Sequence, residues 1–246
     1  MQKRVTGRFT EGGSVYDRMP YAGFSDLEML LVEKALRLVW AESTKRFQCH
    51  RIEFGNADED DISSALVMVF DNIWSNDRHL LSELAKYFDP VPAFNSQVGA
   101  LDYLGQKLKY KPDITFRRNY TESGMSVLNS CLFVEAKLVD RTKTMGNYCG
   151  DGLMRFVEGK YAWAVPQAMM LGYVRSSDQH LPDTLAQHFN RHEKTAEYKL
   201  AEGPVAFALS RYSDRSYRTV HNRALRYPET NRPLGPITVV HLWLRV

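Results

Sequence analysis

Cysteine is scarce in this chain: Cys49, Cys131 and Cys149 are the only three in 246 residues. No two of them form a CxxC pair and their number is odd. This argues against a structural zinc site or a disulfide framework and suits a reducing compartment. Long apolar runs are also missing. No stretch reaches the roughly 18 residues needed to span a bilayer, and the opening MQKRVTGRFTEGG lacks the apolar segment of a signal peptide. A soluble, cytoplasmic protein is expected. Charge of one sign is weak, at +3 net, so the distribution of charge has to decide whether nucleic acid is a partner. No repeat, low-complexity tract or separable linker interrupts the chain, and its length fits one domain over residues 1–246. With 44% hydrophobic and 12% aromatic residues, that domain has material for a sizeable core.

What is present centres on residues 111–140, KPDITFRRNYTESGMSVLNSCLFVEAKLVD. Two apolar runs, 114–116 and 127–134, read as paired strands joined by a polar link containing Ser123-Gly124. Pro112-Asp113 opens the first, and Glu135-Ala136-Lys137 closes the second. Side chains alternate along a strand, so Glu135 and Lys137 share a face that Asp113 can approach if the strands pair. Charges beside a core are costly unless paired or metal-bound. A divalent cation would resolve that cost, since Mg²⁺ takes oxygen ligands, commonly one or two carboxylates with water and phosphate. The plainer reading is a hairpin with a rim salt bridge to Lys137.

Pro112-Asp113, then 21 residues, then Glu135-Ala136-Lys137 resembles the signature of the PD-(D/E)XK nuclease superfamily, the restriction-endonuclease-like fold. The resemblance implies an α/β domain with a mixed central sheet flanked by helices. It implies that Asp113 and Glu135 hold Mg²⁺, with Mn²⁺ as a substitute, and that Lys137 orients the attacking water and offsets developing charge. Members of the superfamily often carry a further glutamate on the preceding helix. Within Asp58-Glu59-Asp60-Asp61 the choice is Glu59, with Asp60 next and Glu53 a distant third. Acids in a first helical turn also simply complement the helix dipole. Residues 146–174 resemble those of several phage-defence nucleases, in a glycine-containing loop, Arg155-Phe156, Gly159-Lys160-Tyr161 and Gly172-Tyr173-Val174. Arg155 and Lys160 are candidate phosphate contacts, whereas Tyr161 and Trp163 read as core aromatics.

The remaining elements are read from pattern. Ser25 and Glu28 form a capping box ahead of an apolar helix through Trp40. A helix follows the acidic run over 62–74. A second, over 78–88, stops at Asp89-Pro90-Val91-Pro92. Residues 98–110 hold the first catalytic strand. Its alternating Lys107, Lys109 and Lys111, with Arg117 and Arg118, form either a phosphate-facing rim or a solubilising edge. The helical pattern over 153–158 and then 161–170 leads into a strand at 170–174. Residues 181–200 read as a polar helix. His188 and His192 stand one turn apart there, but Ala196 breaks the HExxH pattern and a solvated face is expected. Strands at 205–211 and 237–246 flank a segment with Arg211, Arg215, Arg218, Arg223, Arg226 and Arg232. Tyr212, Tyr217, Tyr227 and His221 are interleaved among them. Arginine forks suit phosphate and aromatics suit base stacking, so Arg215, Arg218 and Arg223 are expected to bind nucleic acid.

These readings converge on a metal-dependent nuclease. Its catalytic core spans about 58–175, with C-terminal strands and the Arg-rich segment at 205–246. DNA is the expected substrate, ahead of RNA. The resemblance further implies an effector of prokaryotic antiviral defence working with a protein partner such as an ATPase or helicase subunit. Many such nucleases act as dimers. The alternative is a catalytically inactive nucleic-acid-binding or scaffold subunit.

Overall fold

The computed structural model describes residues 20–49, 54–91, 110–119, 129–175, 181–191, 193–212, 216–227 and 230–245. Among these residues seven strands form one mixed sheet, in the order β1-β2-β3-β4-β7-β6-β5. They are β1 (Phe88–Val91), β2 (Ile114–Arg118), β3 (Leu132–Val139), β4 (Gln167–Val174), β5 (Leu200–Ala206), β6 (Tyr217–His221) and β7 (Ile237–Arg245). The three central strands β3, β4 and β7 are parallel, and antiparallel pairs extend the sheet on both sides. Every residue of β3 is buried, as expected for a parallel strand covered on both faces.

One face is covered by α1 (Asp26–Cys49) and α2 (Glu59–Asn76). Trp40 of α1 stacks on Tyr173 at 5.7 Å, and Ser63 of α2 shares a 3.1 Å hydrogen bond with the Tyr173 hydroxyl. The Ser25–Glu28 capping box forms as expected: Ser25 N–H donates to Glu28 Oε2 at 2.7 Å, and Glu28 N–H to Ser25 Oγ at 3.2 Å. The other face is covered by a continuous helical segment. It consists of α4 (Met145–Asn147), a π-helical stretch (Tyr148–Leu153) and α5 (Met154–Val157). Gly152 lets this segment lie on the sheet, since a Cβ there would stand 2.5 Å from Met170 Cε and 3.1 Å from Lys137 Cγ. The helices α6 (Leu181–Phe189) and α7 (Lys194–Glu197) follow β4.

The structure corrects several boundaries. The helix expected over 78–88 is a 3₁₀ turn (Arg78–Leu81) and one short turn, α3 (Ser82–Ala85), before β1. Pro90 sits within β1, which lies at the sheet edge where a missing N–H is tolerated. The strand expected over 98–110 lies outside the described residues apart from Tyr110. The helix expected over 161–170 is absent. Positive φ at Gly159 (70°) and Ala162 (57°) ends the helical path there, and strand β4 begins at Gln167. Glu193 (φ 67°) interrupts the polar helix expected over 181–200. Within the expected Arg-rich loop, 217–221 is strand β6. The long C-terminal strand is observed as β7.

Candidate active site

The site arises where β2 stops and β3 continues. Their antiparallel register runs Phe116↔Leu132, Thr115↔Phe133, Ile114↔Val134 and ends there. Beyond it, β3 keeps pairing with β4 through Val139 on its other edge. Its open edge still carries backbone donors, and buried donors require partners. Two carboxylates supply them. Asp113, the residue before β2, accepts from Ala136 N–H at 2.6 Å through Oδ2. Glu59, the first residue of α2, accepts from Leu138 N–H at 2.8 Å through Oε2.

Asp58 is the N-cap of α2 and accepts from Asp61 N–H at 2.8 Å, which turns Glu59 toward β3. Asp60 is exposed. Glu53 lies outside the described residues. The runner-up for the accessory acid therefore faces solvent, while Glu59 reaches the cluster.

Glu135 and Lys137 project from β3 toward the helical segment, as strand alternation requires. Glu135 is fully buried and Lys137 is 8% exposed. The Lys137 ammonium donates to Glu59 Oε1 at 2.7 Å and to its neighbour's carbonyl, Ala136 O, at 2.7 Å. It also lies 2.8 Å from Glu135 Oε1. Arg155 Nη1 approaches that same oxygen at 2.7 Å. The buried Tyr161 hydroxyl donates to Glu135 Oε2.

The electrostatics follow from burial and crowding. Burial, and then the Glu135 charge, push the Asp113 carboxyl up to about 7, against the pull of Lys137 and the Ala136 N–H. Burial likewise raises Glu135, with Lys137 and Arg155 pulling it back. Burial works against the Lys137 ammonium, but Glu135 and Asp113 outweigh it and its pKa ends above the ordinary lysine value. Lys137 is thus a fixed cation, and Asp113 is the group that exchanges a proton near neutrality.

A hard divalent cation fits this donor chemistry in one respect: the carboxylates are all oxygen ligands, as Mg²⁺ takes. Glu135 Oε1 makes no aligned hydrogen bond, but Lys137 Nζ and Arg155 Nη1 stand 2.8 and 2.7 Å from it, so a cation there would take the place of one of them. Among the described residues no group of three or more His, Cys, Asp and Glu stands ready-made as a metal cage.

Sequence reading missed the role of Tyr161, which the aromatic context suggested was core alone. Arg155, expected to face phosphate, is instead turned to Glu135. A polar pair flanking the Gly159 turn was the available signal. Lys160 pairs with Glu158 at 2.9 Å and lies 5.9 Å from the Tyr110 ring.

The basic residues elsewhere are mostly engaged. Arg117 pairs with Asp89. Arg118 binds Glu28 and the carbonyls of Ala22 and Gly23. Arg223 is buried and donates to the carbonyls of Gly235 (2.9 Å), Ala162 (3.1 Å) and Leu234 (3.1 Å). Its expected role in gripping phosphate is corrected to that of an internal strut. Arg218 stays partly exposed on β6, 4.0 Å from Glu202 Oε1. Arg215, Lys107 and Lys109 lie outside the described residues.

Among the described residues no helix is long and apolar enough to cross a membrane. Comparison with protein-family models, with curated proteins and with solved structures gave no match.

Proposed function

We propose that this chain is a metal-dependent nuclease that hydrolyses phosphodiester bonds, with DNA as its substrate. One observation carries the reading. Asp113, Glu135, Lys137 and Glu59 come from three separate elements and gather at the open edge of β3, Glu59 hydrogen-bonded and Glu135 ion-paired to Lys137, and Asp113 on the neighbouring Ala136 N–H. In this reading Asp113 and Glu135 would hold Mg²⁺, which would supply an activated water and offset charge on the phosphoryl group. Lys137, kept cationic by its carboxylates, stabilises the negative charge that develops during attack. Glu59 holds the ammonium in place, and Arg155 and Tyr161 orient Glu135. Asp113 takes up or releases a proton at its carboxyl near neutral pH. On resemblance to phage-defence nucleases, the biological setting is an antiviral effector acting with an ATPase or helicase partner.

A second reading has its own support. Asp113 and Glu59 each satisfy a β3 backbone donor, and every charge in the cluster has a partner. The cluster would then serve only to finish the sheet edge of a binding or scaffold subunit.

Glu135→Gln and Lys137→Ala separate the two. On the nuclease reading both variants fold and lose Mg²⁺-dependent plasmid cleavage on the order of a hundredfold or more. Wild-type cleavage by both variants, with any partner supplied, would leave the structural reading standing.

A further inference from the structure

Beyond the C-terminal end of β3 lies a pocket of about 230 Å³, away from Asp113 and Glu135 and lined by Asp140, Arg141, Thr144, Thr184, His188 and Arg191. Such crevices at the carboxyl ends of parallel strands are where open α/β sheets commonly take ligands. Its chemistry is one-sided. Arg141 and Arg191 are exposed, and among the described residues neither guanidinium has a hydrogen-bond or ion-pair partner. Asp140, the single acid in the lining, is spent: its Oδ1 accepts from Thr142 N–H, Thr142 Oγ and Lys143 N–H, each at 2.7 Å. Its other oxygen lies 3.8 Å from Arg175.

Two further groups point the same way. Thr144 Oγ accepts from Gly146 N–H at 3.2 Å, which leaves its own proton to donate. His188 is 4% exposed. Its Nε2 shares a 3.2 Å bond with the Tyr198 hydroxyl, and its Nδ1 has no partner among the described residues. Burial, then the Arg191 charge beside it, holds that imidazole below its ordinary pKa. That nitrogen is not among the buried polar atoms left without a partner, so it opens on the solvent of the pocket and is free to meet a ligand there.

We infer that this pocket is an oxyanion site for a phosphate monoester. Guanidinium forks match the oxygens of phosphate in geometry and charge. The size sets the limit on what enters. A volume of about 230 Å³ is below the ~300–1,000 Å³ of pockets that enclose whole small molecules. The phosphoryl group enters and its organic part stays outside. The terminal phosphate of a nucleic-acid strand and that of a free mononucleotide share this chemistry. The site does not depend on the nuclease reading.

The test is calorimetric titration of the full chain in EDTA at fixed ionic strength. The probes are inorganic phosphate, a mononucleotide, and a 5′-phosphorylated oligonucleotide beside its 5′-hydroxyl twin. Wild type should bind phosphate saturably, and Arg141→Ala and Arg191→Ala should each weaken it tenfold or more. Lys45→Ala, a surface change on α1, should leave it intact. Stronger binding of the phosphorylated oligonucleotide than of its twin assigns the site to strand ends. Equal binding of the twins, with competition by the mononucleotide, assigns it to free nucleotide. Phosphate binding that is absent, or unchanged in both arginine variants, overturns the proposal. The assay reads binding without cleavage, so a negative result leaves the nuclease reading standing, and loss of that reading leaves this one standing.

Discussion

Glu59 and Lys137 approach from opposite faces of the sheet and meet at 2.7 Å across the open edge of β3. α2 lies on the Tyr173 side, whereas Lys137 rises toward Gly152 on the other. The contact is available only because β2 has ended at Ile114. The same carboxylate closes the Leu138 N–H, so one side chain serves both the backbone and the ammonium.

Those two duties can be separated. Glu59→Gln keeps an acceptor for Leu138 N–H and removes only the charge facing the buried Lys137, so it should destabilise less than Glu59→Ala. Glu59→Ala strands the N–H as well and should cost roughly 1–3 kcal/mol. Urea unfolding of both variants reads the difference. On the nuclease reading both also slow cleavage, and full activity in both would remove α2 from the mechanism.

Asp113 predicts a pH signature. Its folded pKa, about 7, lies above the ordinary carboxyl value, so the folded state binds the extra proton. Its contribution to stability is full below about pH 4 and is lost as pH rises through about 7. The difference in unfolding free energy between wild type and Asp113→Asn should follow that course. Added Mg²⁺ should raise the wild-type melting temperature more at pH 8 than at pH 6, since the ligand must be ionised. Metal stabilisation independent of pH would count against Asp113 as a ligand.

A buried hydrogen-bond chain gives the opposite slope. His221 Nδ1 lies 2.7 Å from the Tyr198 carbonyl, which can only accept, so Nδ1 carries the proton. His221 Nε2 then accepts from Thr219 Oγ at 2.7 Å. Thr219 accepts from His241 Nε2 at 2.8 Å, and His241 Nδ1 accepts from the Tyr148 hydroxyl at 3.0 Å. Both imidazoles are neutral. Burial holds His221 at about 4, and burial with His221 nearby holds His241 at about 3. Their folded values lie below the unfolded value near 6.5. Stability therefore falls as pH drops from about 6.5 to 3, on the order of 7 kcal/mol for the two together. Thr219→Val breaks both central bonds and should cost roughly 2–4 kcal/mol at neutral pH. An unaltered urea midpoint in that variant would contradict the chain.

Arg223 and Arg218 should behave differently. Arg223→Ala leaves three buried carbonyls short of donors and should destabilise by about 3 kcal/mol. Arg218→Ala should change stability by no more than about 0.5 kcal/mol. If β6 contacts nucleic acid, Arg218→Ala lowers the salt slope of DNA binding by about 1. An unchanged slope would detach Arg218 from any phosphate.

The mixed α/β class came through the family resemblance, whereas the chain's pattern alone carried the capping box at Ser25 and Glu28, the long apolar strand at the C-terminus and the shared face of Glu135 and Lys137. These are local facts: strand alternation, cap chemistry and apolar runs act within a few residues. What tertiary contact decided lies between elements. Residues 217–221 looked like a polar loop, yet they pair with β7 on one side and β5 on the other. Arg223 looked like a phosphate grip until the carbonyls of residues 162, 234 and 235 closed around it. Tyr161 looked like core until its hydroxyl met Glu135, and the choice of Glu59 over Asp60 rested on which one reached Lys137. No single-chain pattern encodes those meetings, because each joins residues distant in sequence; at the site itself, the end of β2 against β3 leaves the donors that Glu59 and Asp113 satisfy.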